Sequence, residues 1–120
     1  MRKFLFIIRR APEPDLLPLE QLDMAMTTAA FDQSVSLLFL DEGVWQLQSG
    51  QSVSPQSNER RLAQQWEALD IYGISTLWVE RESLLERGLT PARLVLPVAL
   101  IERQAVTGLI LTHDWVVNDS

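Results

Sequence analysis

Three carboxylates stand where two apolar runs end. Asp41 and Glu42 follow Val35 to Leu40, and Glu80 follows Thr76 to Val79. Magnesium and similar hard cations take carboxylate oxygens as ligands, so Asp41, Glu42 and Glu80 are a candidate set for a metal-dependent α/β enzyme. Other chemistries have less to draw on. The chain has no cysteine, which removes a thiolate nucleophile, a thiolate zinc site, an iron–sulfur cluster and a disulfide framework. His113 is the only histidine, so one chain cannot supply a two-histidine metal site. Ser83 is the only serine close to an expected strand end, and no glycine-flanked serine elbow is present. His113 is read as marking a solvated turn before the last strand.

Phosphate chemistry is disfavoured for a local reason. A nucleotide or flavin site needs glycines or hydroxyls after the first strand, so that backbone N–H groups can approach a phosphate. Here that loop is Arg10-Ala11-Pro12-Glu13-Pro14-Asp15. It has no glycine, its prolines remove N–H donors, and its two acids repel an anion. No Walker-type loop occurs elsewhere, and no cofactor is expected. The net charge of -6 argues against direct nucleic-acid binding, because an acidic surface repels a phosphate backbone. Arg9-Arg10 and Arg60-Arg61 are read as solvated pairs.

The elements that must position these side chains alternate between two periods. Phe4 to Ile8 is an unbroken run of β-formers, the pattern of a strand covered on both faces. It is too short for a secretory core, which needs about 7–15 apolar residues. No run approaches the roughly 20 residues of a membrane span, and a cytoplasmic location is expected. Pro18 suits the first turn of a helix whose inner stripe is Leu19, Leu22, Met26 and Ala30. Val35 to Leu40 is the second strand, and Val44 to Leu47 a short helix or turn. Ser49 to Asn58 reads as a surface loop rich in Ser, Gln, Gly and Pro. Ser57 or Asn58 caps a second helix with an apolar stripe of Leu62, Trp66 and Leu69.

Thr76 to Val79 is the third strand. Ser83 to Arg87 is a short helix stopped by Gly88, which suits a left-handed cap. Leu94 to Leu96 is the expected fourth strand, ended by Pro97. In the remainder, Gly108 to Thr112 could be a strand; the preferred reading, which keeps strand and helix alternating, is a helix from Glu102 to Thr112, with Ala105, Val106, Leu109 and Ile110 facing inward, and a final strand at Trp115 to Val117. That reading places Gly108 inside a helix, at a cost of about 1 kcal/mol against alanine. Such alternation points to an α/β three-layer sandwich, with a mainly parallel sheet of about five strands, flavodoxin- or Rossmann-like but without a phosphate loop. At 120 residues, positions 1–120 are expected to form one domain.

Several segments together resemble the DsrE/DsrF/DsrH-like sulfur-relay family, in its TusC/DsrF branch. Ser36-Leu37-Leu38-Phe39-Leu40-Asp41-Glu42-Gly43-Val44-Trp45-Gln46-Leu47 looks like that branch's strand followed by D-G-V-x-Q-L. Trp78-Val79 with Ser83-Leu84-Leu85-Glu86-Arg87-Gly88-Leu89 looks like its W-V-x-x-x-S-L-x-x-R-G-L segment. Lys3 to Ile8 with Ala11-Pro12, Leu22-Asp23 and Leu69-Asp70-Ile71-Tyr72 are also similar.

The resemblance implies a five-stranded α/β fold and a non-catalytic subunit of a TusBCD-type sulfurtransferase complex. The implied partners are TusB-like and TusD-like subunits in a heterohexamer. The implied role is relay of persulfide sulfur toward 2-thiouridine at the tRNA wobble position. A DsrF-type subunit of a sulfur-oxidation DsrEFH complex is the alternative within the same branch. The family's carrier cysteine belongs to the D-type subunit, at the end of the third strand and eight residues before the R-G glycine. In this chain Glu80 stands eight residues before Gly88, and a carboxylate cannot carry a persulfide. A structural role is therefore implied. Trp45 beside a polar turn marks Asp41, Gly43, Val44, Trp45 and Leu47 as the expected partner interface, since Trp is enriched in interfaces.

Overall fold

The computed structural model describes residues 2–10, 17–47, 69, 71–74, 76–90 and 98–118. Their elements are β1 (Lys3–Ile8), α1 (Leu17–Ala30), β2 (Ser34–Phe39), a 3-10 segment (Asp41–Leu47), β3 (Thr76–Glu80) and α2 (Arg81–Glu86). After these come β4 (Ala99–Ile101), a 3-10 turn (Arg103–Ala105), α3 (Val106–Leu111) and β5 (Trp115–Asn118). The five strands form one sheet in the order β4-β3-β2-β1-β5, and every pairing is parallel.

That order accounts for the layers. From β1 to β4 the chain steps across the sheet in one direction, and β5 then returns to the far side of β1. Right-handed crossovers put connections that step one way on one face and a connection that steps back on the other. The two apolar clusters divide accordingly. Phe6, Ile8, Val35, Leu37, Phe39, Leu77 and Val79 point to a face packed by Leu22 and Ala25 of α1, Val44 and Leu47 of the 3-10 segment, and Leu84 of α2. Leu5, Ile7, Leu38 and Leu40 point to the opposite face, against Val106, Leu109 and Ile110 of α3. Leu5 to Ile8 are all buried, as a strand covered on both faces requires.

The α/β class and the parallel sheet agree with the sequence reading, which differs from the structure in detail at the fourth strand, the stripe of α1 and the start of the last helix. The expected strand at Leu94 to Leu96 lies outside the described residues. The fourth strand is Ala99–Ile101, beyond Pro97, in register with Trp78, Val79 and Glu80. Ala99–Ile101 is a short apolar triplet, and its pairing with β3 identifies it as a strand where composition could not. On α1 the inner stripe includes Leu22, Ala25, Met26 and Ala29, whereas Ala30 is exposed. The expected last helix begins with a 3-10 turn that leaves Ala105 exposed, while Val106, Leu109 and Ile110 face inward as read. The expected helix carrying Leu62 and Trp66 lies outside the described residues; Leu69 is buried in the first cluster.

Gly88 has a φ of +70° after the end of α2. The Leu89 amide there returns to the Leu84 carbonyl at 3.0 Å, so the glycine closes the helix in the left-handed conformation expected of it.

Candidate functional site: the carboxyl ends of the strands

In an open parallel sheet, loops at the carboxyl ends of the strands hold the variable side chains. Here β2 passes directly into the 3-10 segment, and that segment lies against the end of β1. A Cβ on Gly43 would sit 2.0 Å from the Ile8 carbonyl oxygen and 2.7 Å from its carbon, so only glycine permits the approach. The segment then inserts Val44 and Leu47 into the core, both fully buried. Between them Gln46 is buried, and its amide donates to the Arg10 carbonyl at 2.7 Å. The Gly43-Val44-x-Gln46-Leu47 pattern is thus a docking device for this segment.

The S-L-x-x-R-G-L pattern answers it from α2. The fully buried Ser83 hydroxyl accepts the Asp41 amide at 2.9 Å and donates to Glu80 Oε1 at 2.6 Å. Arg87 donates through Nε and Nη2 to Glu42 Oε1, at 3.0 and 2.8 Å, and through Nη1 to the Ser83 carbonyl at 3.1 Å. The two motifs, more than thirty positions apart in the chain, are bonded to each other.

Glu80 is 5% exposed and needs ionic partners to stay buried as a carboxylate. Arg103, just after β4, supplies them: its Nε and Nη2 donate to Glu80 Oε1 at 3.1 and 2.9 Å. The same guanidinium bonds both oxygens of Glu86, and the Arg103 amide bonds Glu82. The hydrogen bond from Arg103, with its positive charge, holds the Glu86 carboxyl below the ordinary value of 4.5. Bonds to Glu86 and Glu80 push Arg103 up in turn, so it remains charged throughout. At the β1 end, Arg9 Nη1 lies 3.3 Å from Asp41 Oδ2. Polar contacts therefore link the ends of four adjacent strands, running Arg9, Asp41, Ser83, Glu80, Arg103.

These contacts correct the magnesium reading. Asp41, Glu42 and Glu80 do lie along one edge, but each carboxylate faces a different arginine, Arg9, Arg87 and Arg103. Among the described residues no three His, Cys, Asp or Glu side chains gather closely enough to hold a metal ion. His113 sits in the turn before β5, at the opposite end of the strands from Ser83. Its Nδ1 lies 2.9 Å from the Leu109 carbonyl, to which it donates, and Ser83 and His113 do not form a pair.

The expected interface residues are also divided by the structure. Gly43, Val44 and Leu47 are consumed by the chain's own core. Asp41 and Trp45 are intermediate in exposure, with Trp45 partly packed on the first cluster. Trp115 is 56% exposed and stacks on Phe4. Among the described residues no helix is long and apolar enough to cross a membrane.

Sequence reasoning missed Arg103 altogether. Nothing local singles out that arginine; its role depends on Glu80, 23 residues earlier, reaching the same point through the pairing of β3 with β4.

The family model described as DsrE/DsrF-like matches residues 2–118. The chain is 36% identical over 116 residues to the "Protein TusC homolog" of Pseudomonas aeruginosa, covering 97% of each. It is 37% identical over 95 residues to the "Intracellular sulfur oxidation protein DsrF" of Allochromatium vinosum, covering 79% of this chain and 69% of that one. Among solved structures, the YchN protein of E. coli superposes with a TM-score of 0.82 over 98% of this chain and 99% of that one. Its 18% identity makes this a likeness of fold.

Proposed function

The chain belongs to the DsrE/DsrF-like family, and from that premise we propose that it is a non-catalytic subunit of a TusBCD-type sulfurtransferase complex. In this reading TusB-like and TusD-like subunits join it in a cytoplasmic heterohexamer that relays persulfide sulfur toward 2-thiouridine at the tRNA wobble position. The observation that carries the reading is the similarity to a TusC homologue along 97% of both chains. The strand end at Glu80 supports it: a buried carboxylate clasped by Arg103 and Ser83 offers no sulfur nucleophile, so the sulfur chemistry falls to a partner. The partner edge is Asp41 with Trp45, the two members of the expected interface that keep some exposure.

The identity of 37% to DsrF favours a second reading, a subunit of a sulfur-oxidation DsrEFH complex. Co-expression with the neighbouring reading frames, followed by native mass spectrometry, tests the shared premise: a complex of three different chains is expected. A lone monomer or homodimer would overturn both readings. Wobble-uridine thiolation in a strain lacking the gene then separates them. Its loss supports the TusC reading, and its persistence supports the DsrF one.

A further inference from the structure

We propose that Glu80 is a positioning residue for the partner edge, acting through Ser83 on Asp41 and the 3-10 segment that carries Trp45. This rests on the reading that Asp41 and Trp45 meet a partner. The argument begins with a proton count. A serine hydroxyl has one hydrogen to give. Its oxygen here already accepts the Asp41 amide, and the hydrogen goes to Glu80 Oε1 at 2.6 Å. Ser83 is 0% exposed, so water offers no substitute. Glu80 thus sets the direction in which Ser83 points, and Ser83 holds the Asp41 amide.

Asp41 needs that hold. Its φ is +51°, a left-handed conformation that is unfavourable for a non-glycine residue and persists where surroundings impose it. Asp41 opens the 3-10 segment, so its backbone sets the direction in which Trp45 is delivered. Arg103 anchors the other end of the chain of contacts, fixing the Glu80 carboxylate with two N–H groups while Glu86 braces the guanidinium. A change after β4 is thereby felt at the end of β2, two strands away.

The test follows amide hydrogen exchange of the isolated chain by NMR, with Leu37 in the middle of β2 as the internal reference. Ser83→Ala and Glu80→Ala should speed Asp41 exchange about tenfold relative to Leu37, the loss of a charge-assisted bond network. In Glu80→Ala, added formate should restore protection, and a second substitution, Arg103→Ala, should abolish that rescue. If Glu80→Ala does not fold, Glu80→Gln keeps the shape without the charge and should speed Asp41 exchange about threefold. Affinity for the co-expressed TusB-like and TusD-like chains should fall in step. Unchanged Asp41 exchange relative to Leu37 would overturn the proposal. Faster exchange with unaltered partner affinity would also overturn it, by removing the edge from the interface. Failure of the proposed function is distinguishable, because the unsubstituted chain would then form no complex at all.

Discussion

Gly43 lies so close to Ile8 that a Cβ added to it would stand 2.0 Å from the Ile8 carbonyl oxygen. The obstacle is backbone at the end of a central strand and cannot swing aside as a side chain would. Gly43→Ala must therefore push the 3-10 segment off β1 and drag Val44 and Leu47 out of the core. The expected loss is about 3 kcal/mol, at the upper end for overpacking, read from urea unfolding. A loss below about 0.5 kcal/mol, the range of an ordinary surface change, would mean that the approach is not required.

Leu47 and Trp45 should separate stability from assembly. Leu47 is fully buried, so Leu47→Ala should destabilise the isolated chain by about 2–5 kcal/mol. Trp45 is only partly packed. Trp45→Ala should leave the circular dichroism spectrum of the isolated chain unchanged at room temperature and raise the dissociation constant for the partner subunits at least about tenfold, as for an interface anchor. An unaltered complex would count against the Asp41–Trp45 edge.

Gly108 sits in the middle of α3 without using its freedom. A Cβ there meets nothing within 4 Å, and its φ lies outside the left-handed range. Gly108→Ala should stabilise the chain by about 1 kcal/mol, seen as a higher Tm with the same unfolding m-value. A fall in Tm would show that another chain or an unseen contact occupies that space.

Acid should weaken the clasp at Arg103. The Glu86 pKa is lowered in the folded chain by its hydrogen bond to Arg103. A lowered folded pKa means that the stabilisation is present above the unfolded value and is lost as pH falls through the folded one. The window therefore opens near the ordinary value of 4.5 and extends below it. Glu86→Gln should flatten the dependence of unfolding free energy on pH in that window and leave its slope near neutrality untouched. Equal slopes for the two proteins would remove Glu86 from the acid response.

Magnesium should have no effect on thermal unfolding. Asp41, Glu42 and Glu80 are held by separate arginines, so no shared set of oxygens is offered to a cation. Selective binding to the folded state at 100 times Kd would add about 2.7 kcal/mol. A saturable rise in Tm with magnesium would restore the acidic edge as a ligand site.

Most of the architecture was legible along the chain because hydropathy period reports local geometry directly. The run at Leu5 to Ile8, the stripe at Leu22 on α1 and the stop at Gly88 each carry their meaning within a few residues. The weak point was the short apolar triplet Ala99–Ile101, which only its pairing with β3 identifies as a strand. The motifs at Asp41 to Leu47 and Ser83 to Leu89 were visible as residues, with their mutual contact invisible.

The sequence by itself determined that this chain has no cysteine, has no glycine between Arg10 and Asp15 and alternates apolar runs of strand and helix period. Those are statements about which atoms exist and how local runs repeat, and folding cannot alter them. Only the tertiary structure decided that Glu80 is an internal ligand of Arg103 and Ser83 and that Val44 and Leu47 belong to the core. It also decided that Asp41 is held in a left-handed turn. These facts depend on parallel pairing, which brings the ends of strands distant in sequence to one edge; charge and distance there, rather than residue type, decide what each group does.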